Sequence, residues 1–512
     1  MTFGTAQLEA RAAARGKIGI ERTLPRLLLV SVFTLLGFVV MGYHPGLEDD
    51  AIYLAAIKAE LHPSLYPHSA EFFQLQTQAT IMDGWIASFV RITSIPLAWA
   101  ELLWQFASLF AILWACHGIA RHCFPKARAQ WAGVAMVAAM FTLPASGTAL
   151  TLADQYLQPR NLATACILLA VERLLSGSRW QPPLLLALAF LFHPLMAVMG
   201  ISFCIFYSLS GRFAPPFASG RPRPSAAASL PLGWVLKGAS PSWREALATR
   251  RYYFLYQWRW YEWLGCIAPL FLFWLLSKIA RRHGRASLAR FASAVFAYGL
   301  FHQALAMILP AIPALVRVTP LQPMRYLHLV YVFLALMAGC LAGEFLLKAS
   351  AWRWALYLAV INCAMFASQR AEFASSPHLE LPGVQARNPW LQAFAWIRVN
   401  TPEDAYFALD PYYLSAPGED YHGFRALAER SQMADPVKDG AVVTQVPSLA
   451  PEWQRQVAAQ RNWRCFQLAD FERRREQFGV NWVLVSYPPP TGLECRWHNG
   501  VLSVCRVPDR VE

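Results

Sequence analysis

Apolar runs of bilayer length recur along this chain, and that recurrence restricts its fold more than any motif does. Nine can be marked, at roughly 27–43, 97–119, 131–150, 161–176, 183–209, 264–279, 291–312, 326–347 and 352–368. Several reach the roughly 20 residues that a helix needs to cross hydrocarbon. Of the 512 residues, 56% are hydrophobic and only 15% charged, too little polar surface for a soluble particle of that length. The expected fold class is a polytopic α-helical membrane protein with about nine transmembrane helices.

The net charge of +14 does not point to nucleic acid, because the basic residues lie mostly in loops between apolar runs. With the N-terminus inside, the cytoplasmic segments are dense in cations: Arg121, Lys126 and Arg128; Arg173 and Arg179; Lys278, Arg281, Arg282, Arg285 and Arg290; Lys348 and Arg353. The short outer segments are sparser, as the positive-inside rule requires. The outer loop 210–262 runs against the trend with eight Lys/Arg, at a lower density than the inner loops. Residues 1–26 are basic, but the first apolar run is long and ends in His-Pro-Gly-Leu-Glu without a small-x-small cleavage site, which reads as a retained anchor. Nine spans place the C-terminus outside. That parity depends on reading 183–209 as one span despite His193-Pro194, and 72–92 as an interfacial helix because of Asp83 and Arg91.

The expected organisation is a transmembrane unit, 1–369, with a large first outer loop at 44–96 and a second at 210–262. A linker follows at 370–388, then an extramembrane α/β or α+β domain at 389–512. Within the first loop, 50–61 reads as an amphipathic helix that Pro63 and Pro67 end, and 70–91 as a second surface helix. Segment 210–240 is rich in Pro, Gly, Ser and Ala, and Arg250–Trp263 is packed with Tyr and Trp like an interfacial belt. In the tail, helices are expected at 389–399, 452–459 and 469–478, strands at 405–409 and 481–486, and a hairpin at 494–506. Seven of the ten cysteines sit in or beside apolar runs as small buried hydrophobes. A two-residue turn at Asn499-Gly500 sets Cys495 against Val504. Cys495 and Cys505 then point to opposite faces, and a disulfide between them, which would need a bulge, is not expected. There is no internal repeat and no Gly-rich phosphate loop.

The chemistry-bearing cluster is Glu48-Asp49-Asp50, just past the first apolar run and its His-Pro-Gly break. Acidic groups where lipid gives way to water are costly unless something uses or pairs them. Neighbouring carboxylates raise one another's pKa, which suits a base for a hydroxyl proton or a site for a divalent cation such as Mg²⁺ or Mn²⁺. In a helix Asp49 and Tyr53 share a face while Asp50 is turned away by ~100°. The plainer reading is a helix start, with acidic residues complementing the dipole. At the outer ends of other spans stand Gln155, Tyr156 and Arg160, then His193, then Arg325 and His328. Arg325 and Arg160 are candidate phosphate ligands, because a planar guanidinium matches phosphate oxygens. His44, His62 and His68 are too scattered in sequence to define a site.

This layout resembles the membrane glycosyltransferases of the C superfamily. The shared features are many spans, a large first outer loop with surface helices, and an outer C-terminal domain. Their acidic pair, commonly Asp-Glu-x-x-Tyr, is matched by Asp49-Asp50-Ala51-Ile52-Tyr53 with Asp in place of Glu, and the Trp396–Pro402 stretch is similar to the tails of such enzymes. The resemblance implies a polyprenyl-phosphate-linked sugar donor and a glycan, lipid or protein acceptor. It implies Asp49 as the base, Asp50 as its partner, and basic groups such as Arg325 or Arg160 on the donor phosphate. Glu48, Tyr53, Gln155, Tyr156, His193 and His328 are candidate substrate contacts. The expected location is a bacterial cytoplasmic (inner) membrane, with the C-terminal domain periplasmic. A transporter or flippase of a lipid-linked or anionic solute, or a non-catalytic assembly protein, are the alternative readings.

Overall fold

The structure, a computed structural model, describes residues 23–210 and 239–508. The expected flexible loop at 210–240 and the basic N-terminal segment lie almost wholly outside the described residues.

The chain begins with α1 (Thr23–Met41), followed by α2 (Asp50–Leu61), α3 (Glu71–Thr77), α4 (Met82–Thr93), α5 (Leu97–Cys123) and α6 (Ala127–Ala139). A short hairpin, β1 (Pro144–Ala145) and β2 (Leu150–Thr151), precedes α7 (Pro159–Leu175), α8 (Gln181–Phe192) and α9 (Pro194–Ser210). Then come α10 (Pro241–Ala248), α11 (Trp260–Arg282), α12 (Ala286–Ala311), α13 (Tyr326–Leu341) and α14 (Ala351–Glu372).

Among the described residues, five helical stretches are long and apolar enough to cross a bilayer: α1, α5, α11, α12 and Pro313–Leu347, which contains α13. Nine spans were expected. Two of the differences have local causes. The run 131–150 stops being helical after Ala139 and turns back through the β1–β2 hairpin. The run 183–209 splits into α8 and α9 because Pro194 has no N–H to continue the ladder and its ring crowds the preceding turn. On α1, Leu24, Leu28, Val32, Leu35 and Val39 form an exposed stripe at helical spacing, a lipid-facing side rather than a soluble surface. Between α6 and α13 the backbones nearly touch: a Cβ on Gly339 would lie 2.6 Å from the Ala132 carbonyl oxygen. Small residues at such contacts let membrane helices pack by close van der Waals approach.

Helix α2 spans 50–61 as expected, but it is not a surface helix. Ile52, Tyr53, Leu54, Ala55, Ala56 and Ile57 are all buried. Its Ile52 and Ala55 join Phe72 and Phe73 from α3 and Trp243 from α10 in one apolar cluster with Val442, Val443 and Trp453 of the C-terminal region.

That region is built on α15 (Pro389–Asn400), β3 (Tyr406–Leu409), α16 (Phe424–Ala428), β4 (Ser431–Gln432), α17 (Lys438–Gln445), α18 (Ala450–Ala459), α19 (Leu468–Phe478), β5 (Trp482–Ser486), β6 (Glu494–His498) and β7 (Leu502–Arg506). The strands form one mixed sheet in the order β4-β3-β5-β7-β6, with β4 and β5 parallel to β3 and β7 antiparallel to both β5 and β6. One face packs on Phe394 and Ile397 of α15, the other on Phe471 of α19.

The hairpin corrects the sequence reading. Cys495 and Cys505 are joined in a disulfide. The Asn499 side chain accepts from the N–H groups of Val501 and Leu502, so the loop is wider than two residues and His498 pairs with Ser503. A bulge between Cys495 and Trp497 then shifts the register back by one and sets Cys495 opposite Cys505.

Candidate active site

Past α1 the chain turns through His44-Pro45-Gly46, and the Gly46 N–H donates to Asp50 Oδ2 at 2.6 Å. That bond closes the loop and turns Asp50 inward, where it is 1% exposed. Glu48 and Asp49 are left facing out of the loop. The C-terminal region clasps this turn. Gly423 N–H donates to the Gly46 carbonyl at 2.8 Å, and Glu48 N–H to the Tyr421 carbonyl at 2.9 Å. The approach is so close that a Cβ on Gly423 would lie 2.1 Å from the Ala51 Cβ.

Asp49 and Glu48 line a cavity of about 710 Å³. Its walls come from the ends of several helices and include Gln155, Tyr156, Arg160, Arg325 and Lys438. Asp49 is enclosed by these walls but faces the cavity, so its side chain is 42% accessible. Its Oδ1 accepts from Lys438 Nζ at 3.2 Å and its Oδ2 from Gln158 Nε2 at 3.1 Å. The same Lys438 ammonium also binds Glu48 Oε2. Burial alone would raise the Asp49 carboxyl. Lys438, then Arg160 and Arg325, outweigh it and hold the carboxyl down at about 2. Burial works against the Lys438 ammonium too, and Glu48 and Asp49 nevertheless hold its pKa above the usual lysine value.

The neighbouring acid behaves in the opposite way. Burial, then the Glu101 carboxyl, push Asp50 well above the usual carboxylate range. Its Oδ1 has no hydrogen-bond partner among the described residues.

The two arginines also differ. Arg160, in the first turn of α7, is clamped by Asp154: Nε donates to Oδ2 at 3.0 Å and Nη2 to Oδ1 at 2.5 Å, with both side chains about 5% exposed. Arg325 has no carboxylate within ion-pair distance among the described residues. Its Nε donates to Gln322 Oε1 at 2.8 Å, and its Nη1 lies 3.5 Å from His193 Nε2. Arg325 therefore brings an uncompensated positive charge to the cavity.

Six sequence candidates thus meet at one cavity: Glu48, Asp49, Gln155, Tyr156, Arg160 and Arg325. Tyr156 accepts the Asp49 N–H at 3.4 Å, and Gln155 ties the site to α14 through Gln369 at 2.9 Å. His193 stands behind Arg325. Tyr53 is packed in the apolar core, and His328 donates Nε2–H to the Leu152 carbonyl at 3.1 Å, so neither lines the cavity. Sequence reading missed Lys438 altogether, together with Gln158 and Arg250. Arg250 donates to the Pro436 carbonyl at 2.8 Å and fastens the segment that carries Lys438. That segment is held from inside by a buried pair, Arg425 Nη1 to Asp439 Oδ1 at 2.7 Å and Nη2 to Oδ2 at 2.9 Å. Nothing in the local sequence around Lys438 signals its role, because Lys438 and Asp49 are 389 residues apart.

Glu48 and Asp49 share one cationic partner, the Lys438 ammonium, which contacts both carboxylates.

No protein-family model matches the chain, and no curated protein matches its sequence. Among solved structures it is similar to the Archaeoglobus fulgidus oligosaccharyltransferase, crystallised in complex with Zn and sulfate, at 13% sequence identity over 90% of this chain and 67% of the other. The TM-score of that comparison is 0.42, which does not establish a common fold.

Proposed function

We propose that the chain is an integral-membrane glycosyltransferase of the C-superfamily type, moving a sugar from a polyprenyl-phosphate donor to an acceptor at the outer membrane face. One observation carries the reading: an ionised Asp49 and the unpaired Arg325 face a single cavity at the ends of membrane helices. That juxtaposition suits a displacement with an anionic leaving group. The donor phosphate lies against Arg325, with Arg160 beside it. The acceptor oxygen attacks the anomeric carbon as Asp49 takes its proton. The anomeric carbon–oxygen bond breaks, its electron pair leaves with the lipid phosphate, and the configuration inverts. Fixed cations lower the barrier because negative charge grows on that phosphate.

The low Asp49 pKa fits this sequence of events. A carboxylate held near 2 is a feeble base. The phosphodiester monoanion of a bound donor draws off part of the field of Arg325 and Arg160, so Asp49 gains proton affinity when the donor is in place. The base is thereby active toward the acceptor rather than toward stray protons. Asp50 fits a supporting role, closing the loop that presents Asp49. The Cys495–Cys505 disulfide supports an oxidising compartment for the C-terminal region, hence an extracytoplasmic tail.

The test is transfer from a panel of radiolabelled polyprenyl-phosphate sugars by the purified chain in nanodiscs, with Asp49→Asn alongside. Losing a general base costs about 10²–10⁴-fold, so the variant should fall by at least that lower figure. Equal transfer by variant and wild type sinks the assignment of the base, and binding of donor without turnover by the wild type favours a carrier.

A further inference from the structure

The histidine that opens the acidic loop belongs to a second cluster, apart from the cavity. His44 follows α1, Glu380 lies between α14 and α15, and His422 precedes α16. His44 Nδ1 is 2.7 Å from Glu380 Oε1. His422 Nε2 is 3.0 Å from Oε1 and 3.1 Å from Oε2 of the same carboxylate. Both imidazoles are fully buried, and the Glu380 side chain is 13% exposed. The three donor atoms lie within 4.8 Å of one another.

The second nitrogen of His422 sharpens the reading. His422 Nδ1 is 3.2 Å from the Glu419 carbonyl oxygen, which can only accept. The proton therefore sits on Nδ1, and a neutral His422 turns the lone pair of Nε2 toward the Glu380 carboxylate. Two electron-rich atoms at 3.0 Å repel unless a cation or a second proton lies between them. A carbonyl on the far nitrogen is also how metal-binding histidines are commonly oriented. His44 is free to join, since Glu380 is the sole partner of its Nδ1 and its Nε2 has none among the described residues.

We propose that His44, Glu380 and His422 form a site for a divalent transition metal of the zinc class, one that staples the C-terminal region to the outer end of α1. Two imidazoles and a carboxylate suit zinc and its neighbours and disfavour Mg²⁺ or Ca²⁺. Three protein ligands leave a tetrahedral position for water, and Glu380, Tyr43 and Pro45 border a cavity of about 600 Å³ through which water can reach it. The backbone is arranged for such a staple. Glu380 N–H donates to the Tyr43 carbonyl at 2.9 Å, and Leu47 bridges to His422. The loop that starts at His44 carries Asp49 five residues on, so the metal holds the frame of that loop without touching the reacting groups. The proposal does not depend on glycosyl transfer.

Metal binding by the full chain in nanodiscs decides it. After stripping with EDTA and desalting, the protein is loaded with Zn²⁺ alone and its bound zinc measured. One zinc per chain is expected in the wild type and in Asp49→Asn, with affinity about 100-fold or more weaker in His422→Gln and Glu380→Gln. Loading with Co²⁺ should give the visible bands of a tetrahedral nitrogen/oxygen site, a readout that needs no variant to fold. A wild type that retains no zinc and shows no such bands overturns the proposal, and so does His422→Gln binding as tightly as wild type. In that case the cluster is an imidazolium held by a carboxylate.

Discussion

Arg325 and Arg160 face the same cavity, yet replacing each by methionine should have opposite consequences. Arg160 and Asp154 form a doubly hydrogen-bonded pair, both about 5% exposed. Removing the guanidinium strands a buried carboxylate, a loss of about 3–5 kcal/mol. That is a large share of the 5–15 kcal/mol that typically holds a domain together. Among the described residues Arg325 hydrogen-bonds only neutral groups, a 2.8 Å bond to Gln322 and a 3.5 Å approach to His193 that is too long to count for much. Its loss should cost the fold about 1 kcal/mol. If Arg325 grips the donor phosphate, the same change removes a charge-assisted contact of about 1.5–3 kcal/mol, a fall of about 10- to 150-fold in kcat/KM. The assay is thermal unfolding in detergent beside transfer from a radiolabelled polyprenyl-phosphate sugar. Arg325→Met should purify normally and transfer poorly, with Arg325→Lys between it and wild type. Arg160→Met should unfold early, and a second change, Asp154→Asn, should restore much of the loss by removing the stranded charge. The reasoning fails if Arg325→Met transfers within twofold of wild type, or if Arg160→Met is as stable as Arg325→Met.

Two further expectations concern groups in and beyond the site. Lys438→Met removes the largest influence holding the Asp49 carboxyl down at about 2. Asp49 has a depressed folded pKa, so its pairing stabilises the fold above the ordinary carboxylate value of about 3.9 and is lost as pH falls through about 2. Wild-type transfer should show no acid limb from Asp49 at pH 4–7, whereas Lys438→Met should acquire one at higher pH. An unchanged pH–rate profile would remove Lys438 from the site. Replacing Cys495 and Cys505 by serine opens a short loop, with a sequence separation of 10, worth about 2–3 kcal/mol by chain entropy. The C-terminal region should melt earlier in that variant while retaining its turnover at room temperature; equal melting would mean the cross-link adds nothing to the fold.

Much of the fold was legible because its signals are local. The start of α2 at Asp50 and its end before Pro63 follow from turn and breaker residues, as do β3, β5 and the tail helices α15, α18 and α19, whereas the short α16 and α17 are not signalled by any local pattern. The errors are tertiary or arise from side chains competing with the backbone. The β6–β7 register was misread because the Asn499 amide widened the turn and a bulge then reversed part of the shift. The burial of α2 was hidden because Ile52 and Ala55 share one apolar cluster with Val442 and Val443 of the distant C-terminal region, whose approach no local periodicity announces. The site divides along the same line. Glu48, Asp49, Gln155, Tyr156, Arg160 and Arg325 all stand at helix ends on one side of the expected membrane, and topology alone brought them to attention. Lys438 comes from the tail, beyond the reach of any local pattern, whereas Arg160 pairs with Asp154 only six residues earlier.

Asp49 and Asp50 are adjacent in sequence, and a motif treats them as a pair, yet the fold gives them opposite electrostatic tasks. Asp50 accepts the Gly46 N–H and faces the buried Glu101, so its proton is held tightly. Asp49 faces three cations and gives its proton up readily. The separation follows from helix geometry, since consecutive side chains diverge by ~100° and only one can face the cavity when the other faces the core. A cavity residue so strongly ionised is useful only if its cations can be diverted. Lys438 and Arg325 are suited to that, because Lys438 is borne on a segment of the C-terminal region and Arg325 has no acidic partner of its own among the described residues. Arg160, by contrast, is locked to Asp154 in a buried pair. The C-terminal region is on this account part of the site, because it supplies the ammonium that sets the resting state of Asp49 and clasps the loop that presents it.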